Sequence, residues 1–131
     1  MKGIIQAQGT RKQAVAQATL KPGKGIVKIN GLALENYGSD ILRLRIAEPL
    51  VLAEDVAKAI NINVKVRGGG TNGQADAVRL AMARALVAHD SKLKKVFYDY
   101  DRLLLVADVR QNEVSKPNDS KPRDKRQKSY R

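Results

Sequence analysis

The chain has no cysteine, no tryptophan and a single histidine, His89, among its 131 residues. A disulfide scaffold, a zinc ribbon, an iron–sulfur centre and a catalytic thiol are thereby excluded. Aromatic side chains are scarce: Tyr37, Phe97, Tyr98, Tyr100 and Tyr130. A sheet that stacks unpaired bases needs aromatics on its exposed strands, and no strand expected here supplies them. No apolar run approaches the ~18 residues of a membrane span, and the start, MKGIIQAQGTRK, lacks the apolar stretch of a signal peptide. The chain thus reads as soluble and intracellular, with no membrane partner. Acidic residues are also few: 13 against 25 Lys and Arg, a net charge of +12. That excess points to a polyanionic partner, with nucleic acid the obvious candidate.

The excess is shared between two regions. Residues 1–109 carry 17 basic and 10 acidic side chains, together with apolar runs long enough for a modest core. Residues 110–131 carry eight Lys or Arg against three Asp or Glu, and Val114 is their only aliphatic side chain. Pro117 and Pro122, each after a lysine, disfavour helix at the preceding residue. Such a segment buries too little apolar surface to offset the entropy of ordering, so it is expected to be disordered until a negative partner orders it. The expected organisation is one α/β body, 1–109, and an extended basic C-terminal tail, 110–131.

Residues 4–7 and 14–20 read as strands joined by the loop GTRKQ. In the second, Ala14, Ala16, Ala18 and Leu20 alternate with Val15, Gln17 and Thr19. KPGKG (21–25) is a turn, 26–29 a third strand, and Asn30-Gly31 a strong short turn signal. Ser39 is the expected N-cap of a helix, DILRLRIA, that Pro49 ends; a short helical or irregular stretch follows. Over 61–67, Ile62, Val64 and Val66 point one way, while Asn61, Asn63, Lys65 and Arg67 point the other. After Gly68-Gly69-Gly70 a long helix is predicted for 71–89. Thr71 and Gln74 form its capping box, and Ala75, Val78, Met82, Ala85 and Leu86 its sheet-facing stripe. Residues 91–99 suggest a further helix, and LLLVAD (103–108) a last strand or extended run.

Gly68, Gly70 and Gly73 satisfy G-x-G-x-x-G between a strand and a helix, the context of a dinucleotide site. Against that reading, the preceding strands look like antiparallel hairpins, no clear hydrophobic strand follows His89, and no room is left for a substrate domain. A phosphate-binding P-loop fails because Gln74 stands at the lysine position. Two readings of the loop remain: a structural turn, or a helix end that grips an RNA phosphate with help from Lys65 and Arg67. Arg11 and Lys12 on GTRKQ serve either solubility or phosphate contact. With Lys21 and Lys24 in KPGKG, and Arg79 and Arg84 on the long helix, the cations suggest a body wrapped by a polyanion on several sides. The acidic pairs Asp99/Asp101 and Glu54/Asp55 flank no nucleophile, so a solvated face, or ion pairs with Arg102 and Lys58, is expected of them. No catalytic constellation, metal site or cofactor is expected.

Taken in order, GTRKQAVAQATL, KPGKGIVKING, AEPL, INVKVRGGGTNGQADAVRLAMARAL, YDYDRLLLVADVR and the terminal KRQKSYR resemble the small-subunit ribosomal protein S-nine family over essentially the whole chain. QKSYR and LLVAD resemble its archaeal and eukaryotic branch, and the short length favours an archaeal source. The resemblance implies a non-enzymatic RNA-binding protein of the small-subunit head, in the cytoplasm, without a cofactor. The implied fold is a two-layer α/β (α+β) sandwich of the ribosomal S-five domain-two kind. It has a mostly antiparallel four-stranded sheet, helices on one face, and a left-handed βαβ crossover that opposes the usual rule. Joined with the cations above, this gives an expected rRNA-binding set. It comprises Arg11, Lys12, Lys21, Lys24, Lys65, Arg67, Gly69, Gly70, Arg79, Arg110, Lys116, Lys121, Arg123, Lys125 and Arg126. The resemblance further implies that Lys128, Tyr130 and Arg131 approach the anticodon stem-loop of P-site tRNA, with other proteins of the head as neighbours. Tyr130 stands where the bacterial pattern has a basic residue.

Overall fold

The alternation along 14–20 becomes part of a five-stranded sheet in the computed structural model, which describes residues 4–110. The strands are β1 (Ile5–Arg11), β2 (Ala14–Pro22), β3 (Val27–Ile29), β4 (Leu32–Ala33) and β5 (Ile60–Arg67), in the order β1-β2-β5-β3-β4. Only β3 and β5 are parallel, so the sheet is mostly antiparallel, as expected for this α+β chain. It has one strand more than the four expected. Asn30 and Gly31, at φ 51° and 84°, close a two-residue hairpin that pairs Ile29 with Leu32 and so creates β4. β1 also runs past the expected end at residue 7, because Gly9, Thr10 and Arg11 pair with Ala16, Val15 and Ala14. Only Lys12 and Gln13 are left as the turn.

The helices are α1 (Asp40–Leu52), α2 (Glu54–Ala57), α3 (Thr71–His89) and α4 (Leu93–Tyr100), with 3₁₀ turns at Leu34–Asn36 and Arg102–Leu104. Ser39 caps α1 as expected, its Oγ accepting from the Leu42 amide at 3.5 Å. Pro49 does not end that helix. Proline removes one amide donor, yet its side chain is fully buried and its carbonyl accepts from the Ala53 amide at 3.1 Å, which carries the last turn. The expected capping box on α3 is absent. Gly70 occupies the cap position, Thr71 is already helical, and Gln74 Nε2 instead donates to the Gly68 carbonyl at 3.1 Å. Nor is 103–108 a strand: Asp101 Oδ1 accepts from the Leu103 amide at 3.0 Å and winds the chain into a 3₁₀ turn.

The helices cover one face of the sheet. Ala14, Ala16, Ala18, Leu20, Ile62, Val64 and Val66 are buried beneath Ala75, Val78, Met82, Ala85 and Leu86 of α3. Alanines on both sides let α3 come close. At Gly9 the approach is closest: a Cβ there would lie 2.4 Å from the Ala77 carbonyl oxygen and 2.6 Å from the Ala81 amide nitrogen. Leu42, Ile46, Phe97 and Leu104 complete the core. Two asparagines lock the parallel β3–β5 pair. Asn30 exchanges side-chain hydrogen bonds with both backbone groups of Val66 (2.9 and 3.0 Å), and Asn61 Oδ1 accepts from the amides of Lys24 (2.9 Å) and Ile26 (3.1 Å).

Candidate nucleic-acid interface

The tight turn after β1 puts Lys12 at its tip, exposed and at φ 54°, in the left-handed region that a lysine seldom adopts. The glycine loop lies against this turn. Gly68 has φ +79°, and a Cβ on it would sit 2.5 Å from the Gln13 carbonyl oxygen, so the loop's first glycine serves close packing. Hairpin tip and loop together enclose a cavity of about 570 Å³ lined by Arg11, Lys12, Gln13, Gly69, Gly70, Thr71, Asn72 and Gly73. It lies at the N-terminal, positive end of the 19-residue α3. Among the described residues no side chain caps that end and no acid lies in its first turn, whereas Asp40 begins α1 and Glu54 and Asp55 begin α2. Two motifs far apart in the sequence thus form one basic concavity.

The uncovered face of the sheet continues this surface. Lys65 and Arg67 of β5 are exposed and stand opposite Gln17 and Val15 of β2. A second cavity, of about 520 Å³, runs between Val15, Gln17, Asn30, Lys65, Val66 and Arg67. Lys28 of β3, exposed and beside Asn63, adds a cation that reading the sequence did not single out. Its place in the alternation Val27-Lys28-Ile29 would have revealed it, as the order of residues after the glycines would have revealed Thr71 and Asn72. Among the described residues no strand contains a carboxylate. Lys21 and Lys24 lie apart from the cavity at the opposite end of β2, about 20 Å along the strand.

Other cations are turned inward. Arg11 is only 15% exposed, 3.7 Å from Asp76 and 3.6 Å from Asp108, and donates to the Arg110 carbonyl at 3.1 Å. Arg79 is held by Glu48 and by Asp101 (3.2 Å) and is 12% exposed, so Asp101 pairs with Arg79 and not with Arg102. Lys58 pairs with Glu54 at 3.2 Å, as expected. Arg84 donates to the carbonyls of Gln8 (2.9 Å) and Leu105 (3.2 Å), strapping the last described segment to β1. Arg110 itself is exposed and bonds Asp108 at 2.6 Å. Its hydrogen bonds hold the Asp108 carboxyl well below the usual range, and Asp108 in turn raises the Arg110 guanidinium. Residue 110, the last described, therefore lies beside the hairpin. Lys116, Lys121, Arg123, Lys125, Arg126, Lys128, Tyr130 and Arg131 lie outside the described residues.

Among the described residues, no helix is long and apolar enough to cross a membrane. The family model of ribosomal protein S9/S16 matches residues 9–131. The chain is 54% identical over 125 residues to small ribosomal subunit protein uS9 of Thermoplasma acidophilum, covering 94% of this chain and 97% of that protein. Its identity to the protein of the same name from Thermoplasma volcanium is 52% over 125 residues (94% and 95% covered). To that from Pyrobaculum aerophilum it is 46% over 130 residues (98% and 92% covered). All three relatives are archaeal, on the branch the C-terminal motifs indicated. With a family match from the second half of β1 to the last residue and relatives of nearly equal length, the chain belongs to the ribosomal protein S9/S16 family, a structural family and not an enzyme.

Proposed function

We propose that this chain is a structural constituent of the small ribosomal subunit, in its head and in the cytoplasm, where it binds small-subunit rRNA. The observation that carries the RNA reading is the concavity between the hairpin tip and the uncapped end of α3. Lys12 supplies an exposed positive charge, Gly70 leaves the backbone open, and the helix end favours an anion. Lys65, Arg67 and Lys28, interleaved with Gln17 and Asn63, extend contact over the bare sheet to phosphates and 2′-hydroxyls. Lys21 and Lys24 hold a separate stretch of RNA. Arg79 and Arg11 act from within, fixing the elements that carry the exposed cations.

The finer fold, a ribosomal S-five domain-two sandwich with a left-handed crossover, is part of this proposal. Its support is that β3 and β5 are parallel neighbours joined through α1 and α2. So is the division into a body, 1–109, and a tail, 110–131. Arg110, Lys116, Lys121, Arg123, Lys125 and Arg126 run along rRNA, while Lys128, Tyr130 and Arg131 reach P-site tRNA. The family match extending to residue 131 supports that reading. A terminal arginine offers a planar, permanently charged donor set suited to phosphate.

Mass spectrometry of salt-washed small subunits tests the first part: stoichiometric recovery is expected, and absence refutes it. Removing residues 128–131 tests the second. Subunits should assemble normally and hold P-site tRNA roughly tenfold more weakly, about 1.4 kcal/mol. Unchanged affinity and off-rate would overturn the role of Arg131.

A further inference from the structure

Among the described residues, the outward side of α1 is apolar and uncovered. Leu42, Ile46 and Pro49 are buried against the body, while Ile41, Leu44 and Val51 on the other side are 71%, 70% and 71% exposed. Their spacing puts them in one stripe along the helix. A helix apolar on both sides is ordinarily covered on both, and an exposed aliphatic stripe marks a contact surface for protein.

The charge around the stripe fixes the kind of partner. Glu35, Asp40, Glu48, Glu54 and Asp55 fall within 35–55, against only Arg43 and Arg45, on a chain whose net charge is +12. Asp40 is paired with Arg43, Glu48 with Arg79 and Glu54 with Lys58 at 3.2 Å, and Arg45 is turned to Asp76 at 3.3 Å, which leaves Glu35 and Asp55 as the carboxylates of this surface without a cation among the described residues. Phosphates would be repelled here, and aliphatic side chains offer RNA nothing. A second copy would bring the same negative surface against itself. We infer that α1 and α2 form a docking face for a different protein of the assembly, through a segment that combines lysine or arginine with aliphatic residues. The stripe buries the aliphatics, and the unpaired carboxylates of Glu35 and Asp55 receive the cations. This rests on the ribosomal role proposed above.

The test places the photo-crosslinker p-benzoylphenylalanine at Leu44, and separately at Lys65, in the full chain within assembled small subunits. Adducts are identified by mass spectrometry. Position 44 should join a Lys/Arg-bearing peptide of another ribosomal protein, and position 65 should join rRNA. Attachment of position 44 to rRNA, to a second copy, to a peptide without basic residues, or to nothing while position 65 joins rRNA, overturns the docking face alone. Absence of the chain from subunits overturns the ribosomal role and the docking face with it. A competition guards against a probe that blocks docking: Leu44→Asp, at an exposed helix position, should lose severalfold to the wild-type chain in subunit incorporation. Equal incorporation counts against the inference.

Discussion

The strand layer and the helical layer use charge in opposite ways. The five strands carry Arg11, Lys21, Lys28, Lys65 and Arg67 and no carboxylate. All ten carboxylates of residues 4–110 lie on helices, their caps and the segments joining or following them. In the helical layer the cations of α1, α2 and the first half of α3 are paired where they stand: Arg43 with Asp40, Arg45 with Asp76, Arg79 with Glu48 and Asp101, and Lys58, which caps α2, with Glu54. Among the described residues the strand cations other than Arg11 have no such partner. The net charge of the whole chain, +12, would describe both layers as RNA-binding. The proximity of a carboxylate decides which cations hold the protein together and which are left to hold something else.

The join between the layers is where a small change should do most. Gly9→Ala pushes a methyl into the backbone of α3, and overpacking of this kind costs about 1–3 kcal/mol. Gly70→Ala is the counterpart. Nothing lies within 4 Å of a Cβ there and its φ is −97°, so stability should change by less than about 0.5 kcal/mol. Denaturant unfolding of the two variants measures the difference. Equal midpoints would mean that α3 does not press on β1 at Gly9.

The next effect separates the layers by function. Replacing Lys65 and Arg67 with Gln should flatten the dependence of log RNA affinity on log salt by roughly 1.4 to 1.8 if each touches one phosphate. Glu54→Lys with Asp55→Lys, which adds positive charge to the helical layer, should leave that slope unchanged. A matching response from both pairs would erase the distinction between the two faces.

Much of this layout was legible beforehand, because alternation and helical periodicity report burial directly. β2, β5 and the 19 residues of α3 follow from Ala14–Leu20 alternation, from Ile62, Val64 and Val66, and from the Ala75-to-Leu86 stripe. Local propensity misled where tertiary contacts overrode it. Pro49 sits inside a helix because its ring is buried, and Leu103 turns because Asp101 captures its amide. The concavity combined two motifs about 60 residues apart, and their meeting depends on the β2–β5 register, which composition does not report. The inward turn of Arg11 was illegible for the same reason: its partners Asp76 and Asp108 are distant in sequence.

Arg11 and Lys12 sharpen the comparison at the scale of adjacent residues. Lys12→Gln should reduce the salt slope by roughly 0.7 to 0.9 and leave unfolding nearly unchanged. Arg11→Gln should do the reverse, lowering stability by about 1 kcal/mol through lost ion pairs with little change in slope. Exchanged outcomes would mean that the guanidinium, and not the ammonium, faces the RNA.

The smallest expected change concerns the last described residues, Asp108 to Arg110. Asp108 accepts from the Arg110 amide and Nε, each at 3.0 Å, with Arg11 at 3.6 Å, and these contacts favour its ionised form. A carboxyl whose folded pKa is depressed contributes stability above its unfolded value, 3.8 for aspartate, and loses that contribution as pH falls through the folded value. Here the folded value lies well below 3.8, so the link should survive through the whole range in which ordinary aspartates titrate. Hydrogen exchange at the Arg110 amide, corrected for intrinsic rate, should therefore show the same protection at about pH 4 as at about pH 7. Asp108→Asn should weaken protection at both, since a neutral amide keeps the shape but not the charge that draws in Arg110 and Arg11. Protection lost between about pH 5 and pH 4 would mean that Asp108 titrates normally, leaving Arg11 without its second carboxylate and residue 110 without its anchor beside the hairpin.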